Sequence, residues 1–572
     1  MSIVNIATHL KSMARNRPDQ AAVLLPIGRD GVGKSTYQCL TYRQLDALSD
    51  RLAASLLTRG ISRGVRTVLM VPPSLEFFAL TFALFKTGAV SIFIDPGMGV
   101  KNIGKCLAEA QPEAFVGIPK AHIARRLIGW GSPSLKRLVA VGRGARWCRW
   151  LGRDVAAWDV PSLLLDVERK LPGDGVGTGP AETTTDETAA ILFTSGSTGV
   201  PKGAVYSHGN FAAQIELLRS AFSIEAGEID LCTFPLFALF APALGMTAVV
   251  PRMDFTRPAN VDPPEISDPI LQHGVANLFG SPALLNRVGR FYEGKEIQWP
   301  SLRRVLSAGA PVSAAIIERF ARHLAPGVQI LTPYGATESL PVAVIGSNEI
   351  LNETRYETVR GAGTCVGRPV AGMQVAIIPI TDAPIAEWND SLLLPTGEIG
   401  EIVVNGLNVS QEYFHRPDLT DLGKILDPST GRRRHRMGDL GYFDSQGRLW
   451  FCGRKSHRVV TPERTYFTEP VEGVFNAHAA VFRSALVGVQ RSGRVEPVLC
   501  VEREPDRRHE STANLTRELL ELGAMYEHTR PIQTILYHDA FPVDIRHNSK
   551  IFREKLAVWA EKKTASSSRD AQ

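Results

Sequence analysis

Residues 191–211 read ILFTSGSTGVPKGAVYSHGNF, and the order of residue types in this stretch decides the fold. An apolar run, 188–193, precedes the loop 194–203 and a short run, 204–207, follows it, so the loop joins two buried strands. Buried flanks argue against a flexible Ser/Gly linker. The glycines let the backbone approach an anion closely, the Ser and Thr hydroxyls donate hydrogen bonds and Lys202 adds a positive charge. This composition predicts a loop that wraps the β- and γ-phosphates of ATP. The candidate ligands are Thr194, Ser195, Gly196, Ser197, Thr198, Gly199 and Lys202.

The residues before this loop alternate between helical and strand patterns. Thr41 and Gln44 form a capping box, and leucines follow at helical spacing. The apolar run 65–71, a second helix that begins after Ser74 and the run 89–94 continue the alternation. Such alternation predicts an α/β fold, with a mostly parallel sheet and helices on both of its faces.

Length and composition exclude several classes of protein. A chain of 572 residues should contain about three to five structural units. With 44% hydrophobic and 21% charged residues it should be globular. A net charge of only +6 is too small an excess of positive charge to indicate a nucleic-acid-binding protein. These values favour a small-molecule enzyme without a nucleic-acid partner. We interpret two basic stretches, RGARWCRWLGR (143–153) and RRRHR (432–436), as solvated surface; the alternative for 143–153 is docking to a membrane or a partner.

Cysteine usage and the apolar runs indicate a cytoplasmic protein. The seven cysteines form no CxxC pair, which suits a reducing compartment without structural zinc. Residues 1–20 lack the uninterrupted apolar segment of a secretory signal. The most apolar region, 67–94, is interrupted by prolines and charges and is too short to span a bilayer, so we expect no transmembrane segment.

A second phosphate-loop pattern occurs at 28–35, where GRDGVGKS fits GxxxxGK[ST]. A functional loop of this type needs a strand before it and a helix directly after it. Here a strand pattern, 36–41, follows instead. We therefore predict a hairpin loop at 28–35.

The pattern changes in the last third of the chain. Short runs between turn residues, such as 401–405 and 449–452, predict a small β-rich unit with a hairpin loop at Asp444–Gly447. A compact terminal domain fits residues 457–560, and the polar residues after it predict a tail.

Residues 191–211 closely resemble the phosphate loop of the adenylate-forming (ANL) superfamily, which includes acyl-CoA synthetases, peptide-synthetase adenylation domains and firefly luciferase. Further family motifs follow in order: SAGAP (307–311), YGATE (334–338), GEIGE (397–401), MGDLGYFD (437–444), GRK (453–455) and NSKIFREKL (548–556). The resemblance implies a large N-terminal domain of stacked α/β subdomains plus a small β-rich subdomain, and a small α+β C-terminal domain on a hinge. It implies an adenylation body at 1–453 with the β-rich subdomain at about 370–453, a hinge at 454–456, a lid domain at 457–560 and a flexible tail at 561–572.

The same resemblance implies a site for ATP and Mg²⁺. In the family a substrate carboxylate attacks the α-phosphate of ATP, which gives an acyl-adenylate and pyrophosphate. Glu338 would hold Mg²⁺, Thr337 would bond the α-phosphate and Tyr334 would stack on adenine. The other pocket candidates are Ser307, Ala308, Gly309, Ala310, Pro311, Gly335 and Ala336.

Three further residues match positions at which the family contacts the nucleotide. Asp439 matches the aspartate that accepts both ribose hydroxyls, and Arg454 matches the arginine that also reaches the ribose. Lys550 matches the lysine that bridges the substrate carboxylate and the α-phosphate as charge builds up between them. In the family the terminal domain pivots after adenylation, which would remove Lys550 from the site.

Several positions depart from the family pattern. They lie where family members carry out the reaction that follows adenylation, the transfer of the acyl group to CoA. Ser456 stands at the hinge, and HRVVTPERTYFTEPVE (457–472) replaces the glycine-rich segment that lines the pantetheine tunnel. Ala238 replaces a histidine, Ser549 a glycine and Met437 a threonine. An enzyme without the marks of a CoA tunnel need not use a second substrate.

These departures, together with IDPGMG (94–99), resemble the β-lactone synthetases of bacterial long-chain olefin biosynthesis. That resemblance implies adenylation of a 2-alkyl-3-hydroxy fatty acid. The 3-hydroxyl would then attack the activated carbonyl, expel AMP and close a β-lactone. Other enzymes of olefin biosynthesis, in a multienzyme assembly, are candidate partners.

The acyl pocket and the base for ring closure are less constrained. We predict that the pocket contains Phe237, Ala238, Phe240, Phe279, Gly280 and Ala310, although such residues could equally pack the core. His457 and His547 are the candidates for the base.

Two other functions stay open on the sequence. A long-chain fatty acyl-CoA ligase would share the adenylation residues but consume CoA. A non-catalytic nucleotide-binding protein would not need the chemical groups at Lys202, Glu338, Asp439 and Lys550, whose presence argues against it.

Overall fold

The computed structural model describes residues 4–130, 133–142, 145, 148, 155–158, 179–194, 201–234, 238–491, 493–543 and 551–570. Strands and helices alternate along most of this chain, and the α/β fold predicted from the sequence is confirmed. The strands are β1 (Ala21–Arg29), β2 (Ser35–Thr41), β3 (Arg66–Met70), β4 (Val90–Phe93), β5 (Ala114–Gly117), β6 (Arg137–Val141), β7 (Val155–Trp158), β8 (Thr188–Thr194), β9 (Lys202–Ser207), β10 (Ile229–Cys232), β11 (Thr247–Val249), β12 (Asn277–Phe279), β13 (Arg304–Leu306), β14 (Gln329–Ala336), β15 (Ser339–Gly346), β16 (Thr364–Pro369), β17 (Gln374–Ile378), β18 (Gly400–Asn405), β19 (Lys424–Asp427), β20 (Arg432–Phe443), β21 (Leu449–Arg454), β22 (Val459–Val460), β23 (Thr465–Tyr466), β24 (Val481–Arg491), β25 (Arg494–Arg503) and β26 (Thr534–Tyr537).

The α-helices lie between these strands. They are Ala7–Asn16, Tyr42–Leu57, Leu75–Thr87, Val100–Ala110, Pro119–Ile128, His208–Phe222, Phe240–Leu244, Pro264–His273, Pro282–Tyr292, Ala314–Ala321, Ser347–Glu349, Arg355–Thr358, Pro417–Gly423, Thr468–Phe475, Thr512–Ala524 and Arg553–Asp570. Short helical turns of other types are Pro96–Met98, Pro258–Asn260, Ile350–Thr354, Asp390–Leu392, Lys455–His457 and Pro505–Arg507. Among the described residues no helix combines the length and the apolar character needed to cross a bilayer.

A seven-stranded sheet in the order β7-β6-β5-β3-β4-β8-β9 contains the first half of the alternating pattern. All its pairs are parallel except β8 with β9. Helices 42–57 and 75–87 pack in one hydrophobic cluster and helices 100–110 and 119–128 in another, so helices cover both faces. The mostly parallel sheet predicted from the sequence is confirmed.

Local signals set the helix ends. The Thr41 side chain and Gln44 form the predicted capping box at the start of helix 42–57. The Ser74 hydroxyl accepts a hydrogen bond from the Phe77 N–H at 3.2 Å, and this helix ends at Gly88, whose φ of 72° favours glycine. Because these signals act over a few residues, the sequence alone located them.

The pattern at 28–35 forms the predicted hairpin. Strands β1 and β2 pair antiparallel, with Arg29 opposite Ser35. One carboxylate oxygen of Asp30 accepts the N–H groups of Val32 and Lys34 at 3.0 and 2.8 Å, which closes the turn. Strand β2 follows the loop and continues to Thr41, so no helix begins directly after it.

A 14-stranded sheet brings the later motifs together. Its order is β17-β18-β20-β21-β16-β15-β14-β13-β12-β10-β11-β1-β2, with β19 paired to β20. Strands β10, β12, β13 and β14 run parallel, so the residues after their carboxyl ends share one edge. Strands β20 and β21 form the hairpin predicted around Asp444–Gly447.

The last described residues have hydrophobic clusters of their own. The sheet β24-β25-β26 packs against helices 468–475 and 512–524 on one side and against the helix Arg553–Asp570 on the other. This final helix extends into the range 561–572 for which the composition predicts a tail; alanines, glutamate and lysines there are strong helix formers. The boundaries of the body, hinge and lid stay predictions.

Buried His208 predicts a loss of stability in acid. Its side chain accepts the Ile6 N–H at 3.4 Å, and burial lowers its pKa to about 4. Below about pH 6.5 the unfolded chain takes up a proton that the folded protein resists. This histidine should therefore contribute about 3 kcal/mol above pH 6.5, and the contribution should disappear as the pH falls to about 4.

Thermal unfolding between pH 4 and 8 measures this effect. The His208→Asn variant should show a flatter fall of Tm between pH 6.5 and 4 than the wild type, and the exposed His415→Asn variant should follow the wild type. Equal slopes for all three proteins would contradict the prediction.

Candidate active site

A cavity of about 620 Å³ opens at the edge where the two large sheets meet. Its polar lining includes Lys202, Glu338, Tyr413, His435 and Arg454. Its apolar lining includes Phe82, Phe85, Phe93, Leu192, Phe211, Phe240, Ala243, Phe255 and Phe279. One cavity thus combines charged groups that suit a nucleotide with an aromatic wall that suits a hydrocarbon chain.

Glu338 lies in the turn between β14 and β15. Its side chain is buried, and Oε1 accepts a hydrogen bond from the Tyr413 hydroxyl at 2.6 Å. Its backbone carbonyl accepts the Ser410 N–H at 2.9 Å, which ties this turn to the segment before Tyr413. Burial raises the pKa of Glu338, but the hydrogen bond from Tyr413 and the charge of Lys424 hold it below the ordinary glutamate value. The carboxylate is therefore ionised at neutral pH.

Lys424 and His435 form a cross-strand pair beneath Glu338, at directly opposite positions of β19 and β20. Both side chains are buried. The Lys424 ammonium donates to the Ser410 carbonyl at 2.5 Å, and burial lowers its pKa to about 7. The His435 Nδ1–H donates to the Gly423 carbonyl at 3.0 Å, and burial lowers the pKa of His435 to about 3. His435 is thus neutral.

These residues fit a divalent cation. Glu338 is an ionised carboxylate on the cavity wall, and hard cations such as Mg²⁺ prefer such oxygens together with phosphate oxygens. Among the described residues no group of three or more His, Cys, Asp or Glu side chains could hold a metal by itself. A cation here would therefore share its ligands with the bound nucleotide.

Asp439 and Arg454 face each other across β20 and β21, as a direct pair of the ladder. The Arg454 guanidinium lies 3.0 Å from Asp439 Oδ1, and the Tyr334 hydroxyl donates to Oδ2 at 2.7 Å. Asp439 raises the pKa of Arg454 further. The structure therefore brings together three residues predicted for the ribose and adenine end, each from a separate motif.

Lys202 faces the cavity at the end of the phosphate loop. Strands β8 and β9 pair Thr194 with Lys202, which confirms that this loop joins two strands. The Lys202 ammonium lies 5.2 Å from the centre of the Tyr413 ring, and burial lowers its pKa. The predicted site residues Ser195, Gly196, Ser197, Thr198, Gly199, Phe237 and Lys550, and the candidate base His547, lie outside the described residues.

The remaining candidates divide between the cavity and its surroundings. Those that line the cavity are Ala308, Gly309, Gly335, Ala336, Thr337, Glu338, Phe240 and Phe279. Among the candidates whose side chains are described, those that do not line it are Ser307, Ala310, Pro311, Tyr334, Asp439, Ala238 and Gly280. Ala238 packs in the hydrophobic core, and a side chain at Gly280 would lie within 3.0–3.2 Å of Leu284 and Leu285. These two positions support the aromatic wall from behind.

Buried ion pairs anchor the GRK segment. The Lys455 ammonium donates to the Thr381 carbonyl at 2.8 Å and lies 3.1 Å from Glu401, the last residue of GEIGE. Glu401 also pairs with Arg436 at 2.6 Å. The candidate base His457 lies 3.3 Å from Glu554, and burial lowers its pKa to about 4; it does not line the cavity in the described part of the chain.

Sequence reasoning missed two parts of the site. Tyr413 and Lys424 lie in segments without a recognised motif. His435 lies in the basic stretch 432–436, and the interpretation of that stretch as solvated surface is wrong, because His435 and Arg436 are buried. Only the pairing of β19 with β20 brings Lys424 and His435 under Glu338, where Tyr413 also contacts the carboxylate. The aromatic wall was missed because Phe85 and Phe211 have the helical spacing of ordinary core residues. Their rings lie 5.8 Å apart, and Phe211 lies 5.0 Å from Tyr206, whose hydroxyl donates to the Thr337 carbonyl.

Known proteins resemble this chain in sequence. The chain matches the family described as AMP-binding enzyme over residues 10–414. It is 50% identical over 563 residues to an olefin beta-lactone synthetase of Xanthomonas campestris pv. campestris, covering 98% of each chain. It is 52% identical over 565 residues to an olefin beta-lactone synthetase of Stenotrophomonas maltophilia, covering 97% of this chain and 98% of the relative.

Solved structures show the same fold. The crystal structure of ATP-bound MatB from Rhodopseudomonas palustris has a TM-score of 0.73 and 20% identity, and the match covers 97% of this chain and 99% of that one. The order of six motifs, the cavity that residues of five of them line and the match over 10–414 lead to one conclusion: the chain belongs to the AMP-binding enzyme family of adenylate-forming ligases, alongside two full-length relatives that are olefin beta-lactone synthetases.

Proposed function

We propose that the protein adenylates a 2-alkyl-3-hydroxy fatty acid with ATP and converts it to a β-lactone for long-chain olefin biosynthesis. The observation that carries this proposal is identity of about half, over nearly the full length, with two olefin beta-lactone synthetases. The cavity supports it, because an ionised carboxylate and an aromatic wall lie in one space. Tyr206 connects them through its hydrogen bond to Thr337 and its contact with Phe211.

The first step joins two anions. A carboxylate oxygen of the acid attacks the α-phosphorus, and the bond to the leaving pyrophosphate breaks. In our proposal Lys202 and the 194–199 loop hold the β- and γ-phosphates, Thr337 bonds the α-phosphate, and Lys550 bridges the two reactants. Glu338 would hold Mg²⁺, which lowers the charge repulsion between the carboxylate and the phosphates.

The adenosine end would be held by the ladder pair Asp439 and Arg454. The carboxylate of Asp439 has acceptors for both ribose hydroxyls, and the Arg454 guanidinium lies 3.0 Å from it. Tyr334 is oriented by its hydrogen bond to Asp439, which would fix its ring for contact with adenine. Ala308 and Gly309 line the adjacent wall, where the φ of Gly309, 97°, favours glycine.

The second step needs no further substrate. The 3-hydroxyl oxygen attacks the acyl carbon, the bond from that carbon to AMP breaks, and the hydroxyl proton passes to a base in the site or to water. AMP leaves with the bonding electrons. Tethering both groups in one molecule provides proximity, which opposes the strain of a four-membered ring.

Product identification tests the proposal. Purified protein is incubated with ATP, Mg²⁺ and a 2-alkyl-3-hydroxy acid, with and without CoA, and products are identified by mass spectrometry. We expect a β-lactone, AMP and pyrophosphate in both reactions. A thioester that forms only with CoA would identify a fatty acyl-CoA ligase instead. No pyrophosphate with any acid would identify a nucleotide-binding protein.

The aromatic wall predicts a limit on chain length. Ala243 lines the cavity, and an Ala243→Leu change would fill space beside Phe240. We expect at least a tenfold loss of kcat/KM for long-chain substrates and little change for short ones, because one or two methylenes of lost room cost about 1–3 kcal/mol. ATP–pyrophosphate exchange with a chain-length series measures this. Equal losses at all lengths would show that the variant is merely damaged.

The cytoplasmic location and the multienzyme assembly also belong to this proposal. An assembly would let the reactive lactone pass directly to a further enzyme of the pathway. Co-purification of the tagged protein from its own host tests the assembly, and recovery of the protein alone would count against it.

A further inference from the structure

Basic charge is concentrated in one region of the chain. Residues 100–153 contain eleven lysines and arginines but only two acids, Glu109 and Glu113. This region therefore has a net charge of +9, whereas the whole chain has +6 and the rest of the chain is slightly acidic. Such an asymmetry is typical of a surface that meets a polyanion.

The helix Pro119–Ile128 exposes aliphatic side chains in the middle of this region. Leu127 is 80% exposed, Ile128 50% and Ile123 45%. Ile123 and Leu127 are four residues apart and thus share one helix face, with exposed Lys120 one turn before them. Exposed Arg126 lies beside them. We call these five residues the basic apolar face.

The opposite side of this helix is fixed in the core. Ala121 and His122 are buried, and the His122 Nε2–H donates to the Val139 carbonyl at 2.9 Å. Among the described residues no acidic side chain forms an ion pair with Lys120 or Arg126. Packing against the described residues therefore does not account for the exposed Ile123, Leu127 and Ile128. Exposure of such aliphatic side chains to water is unfavourable in free energy.

Helix 100–110, whose buried side packs in the same hydrophobic cluster, also exposes basic and aliphatic residues close to the cavity. Val100 is 54% exposed at the start of helix 100–110, and Lys101 and Lys105 are exposed beside it. The turn just before Val100 contributes Asp95 and Met98 to the cavity lining. A surface bound here would lie close to one wall of the active site.

We propose that the basic apolar face docks on the surface of an anionic phospholipid bilayer. Cations attract acidic headgroups, and the exposed aliphatic side chains enter the boundary between headgroups and acyl chains. A nucleic acid would satisfy the charge but offer no environment for Leu127 and Ile128. If the proposed function is right, docking lets a poorly soluble two-tailed acid enter the cavity from the bilayer.

Vesicle sedimentation with full-length protein tests this proposal. Vesicles of phosphatidylcholine alone are compared with vesicles that contain about one third phosphatidylglycerol, at low and high salt. We expect the wild type to sediment at least fivefold more with the anionic vesicles, and less as salt rises. The double change Leu127→Ser with Ile128→Ser, and the double change Lys120→Glu with Arg126→Glu, should each weaken binding roughly tenfold.

Two matched controls lie on other surfaces. Leu271→Ser removes an aliphatic side chain that is 52% exposed on helix 264–273, and Arg15→Glu reverses an exposed charge. Both should bind vesicles like the wild type, and unfolding midpoints should show that all variants fold. Equal binding to both vesicle types, or full binding by the Leu127→Ser, Ile128→Ser variant, would overturn the proposal.

Two further readouts separate the alternatives. Duplex DNA and an acidic polypeptide are tested as competitors of the vesicles. If either displaces the vesicles, and if the Leu127→Ser, Ile128→Ser variant binds it as well as the wild type does, the face is a general polyanion site and lipid docking is overturned. Lactone formation from detergent-dispersed substrate is measured without vesicles. Lactone without vesicle binding would refute docking alone, and vesicle binding without lactone would refute the proposed function alone.

Discussion

A Glu338→Gln variant is expected to form acyl-adenylate roughly 10²–10³-fold more slowly than the wild type. Glutamine keeps the volume of the side chain and an oxygen that can accept the Tyr413 hydroxyl, so the turn between β14 and β15 should persist. What disappears is the negative charge on the cavity wall. If this carboxylate holds Mg²⁺, its loss should also raise the Mg²⁺ concentration needed for half-maximal rate.

Stopped-flow release of pyrophosphate at a series of Mg²⁺ concentrations measures both effects. Glu398→Gln is a suitable control, because it removes an exposed glutamate from GEIGE and leaves the cavity unchanged. Since the pKa of Glu338 lies below the ordinary value, the wild-type rate should not titrate with this group above pH 5. A Glu338→Gln enzyme with wild-type rates at low Mg²⁺ would refute the metal assignment.

A Lys550→Ala variant is expected to lose adenylation by a similar factor while ATP affinity changes only a few-fold. In the proposed mechanism this ammonium meets charge that develops only as the carboxylate approaches the α-phosphate, so it lowers the barrier more than it stabilises bound ATP. Single-turnover rates and ATP dissociation constants, measured on the same protein, separate the two quantities.

Lys555→Ala provides the matched control from the same motif. Lys555 is exposed and lies 4.7 Å from the ring of Phe552, so its removal should leave adenylation unchanged. Synthetic acyl-adenylate adds a second test: if the lid removes Lys550 before ring closure, the Lys550→Ala enzyme should still convert this intermediate to lactone. A loss of ATP affinity equal to the loss in rate would contradict a role in the transition state.

The contacts of GRK bear on that lid movement. Lys455 is bound to the Thr381 carbonyl and to Glu401, and Arg458 lies 2.7 Å from Asp382. If the chain pivots at the predicted hinge 454–456, these pairs either break or stay intact while the backbone next to them rotates. Glu401 is buried and shared with Arg436, so the body side of this anchor is rigid.

Local sequence signals determined most of the fold. The capping box at Thr41, the cap at Ser74 and the hairpins at 28–35 and Asp444–Gly447 each depend on residues within a few positions of one another. Alternating patterns then gave the fold class, because parallel strands need helical crossovers. Family motifs further placed Asp439, Arg454 and Glu338, and the structure brings all three to one cavity or its wall.

Tertiary structure alone decided what surrounds those residues. The pairing of β19 with β20 puts Lys424 and His435 under Glu338, and the packing of helix 75–87 against helix 208–222 turns Phe85 and Phe211 into a cavity wall. Nothing in their local spacing distinguishes these residues from ordinary strand or core positions. Contacts between residues distant in sequence depend on how whole sheets and helices pack, so the sequence determined the motifs and only the packing determined the electrostatics and the shape of the site.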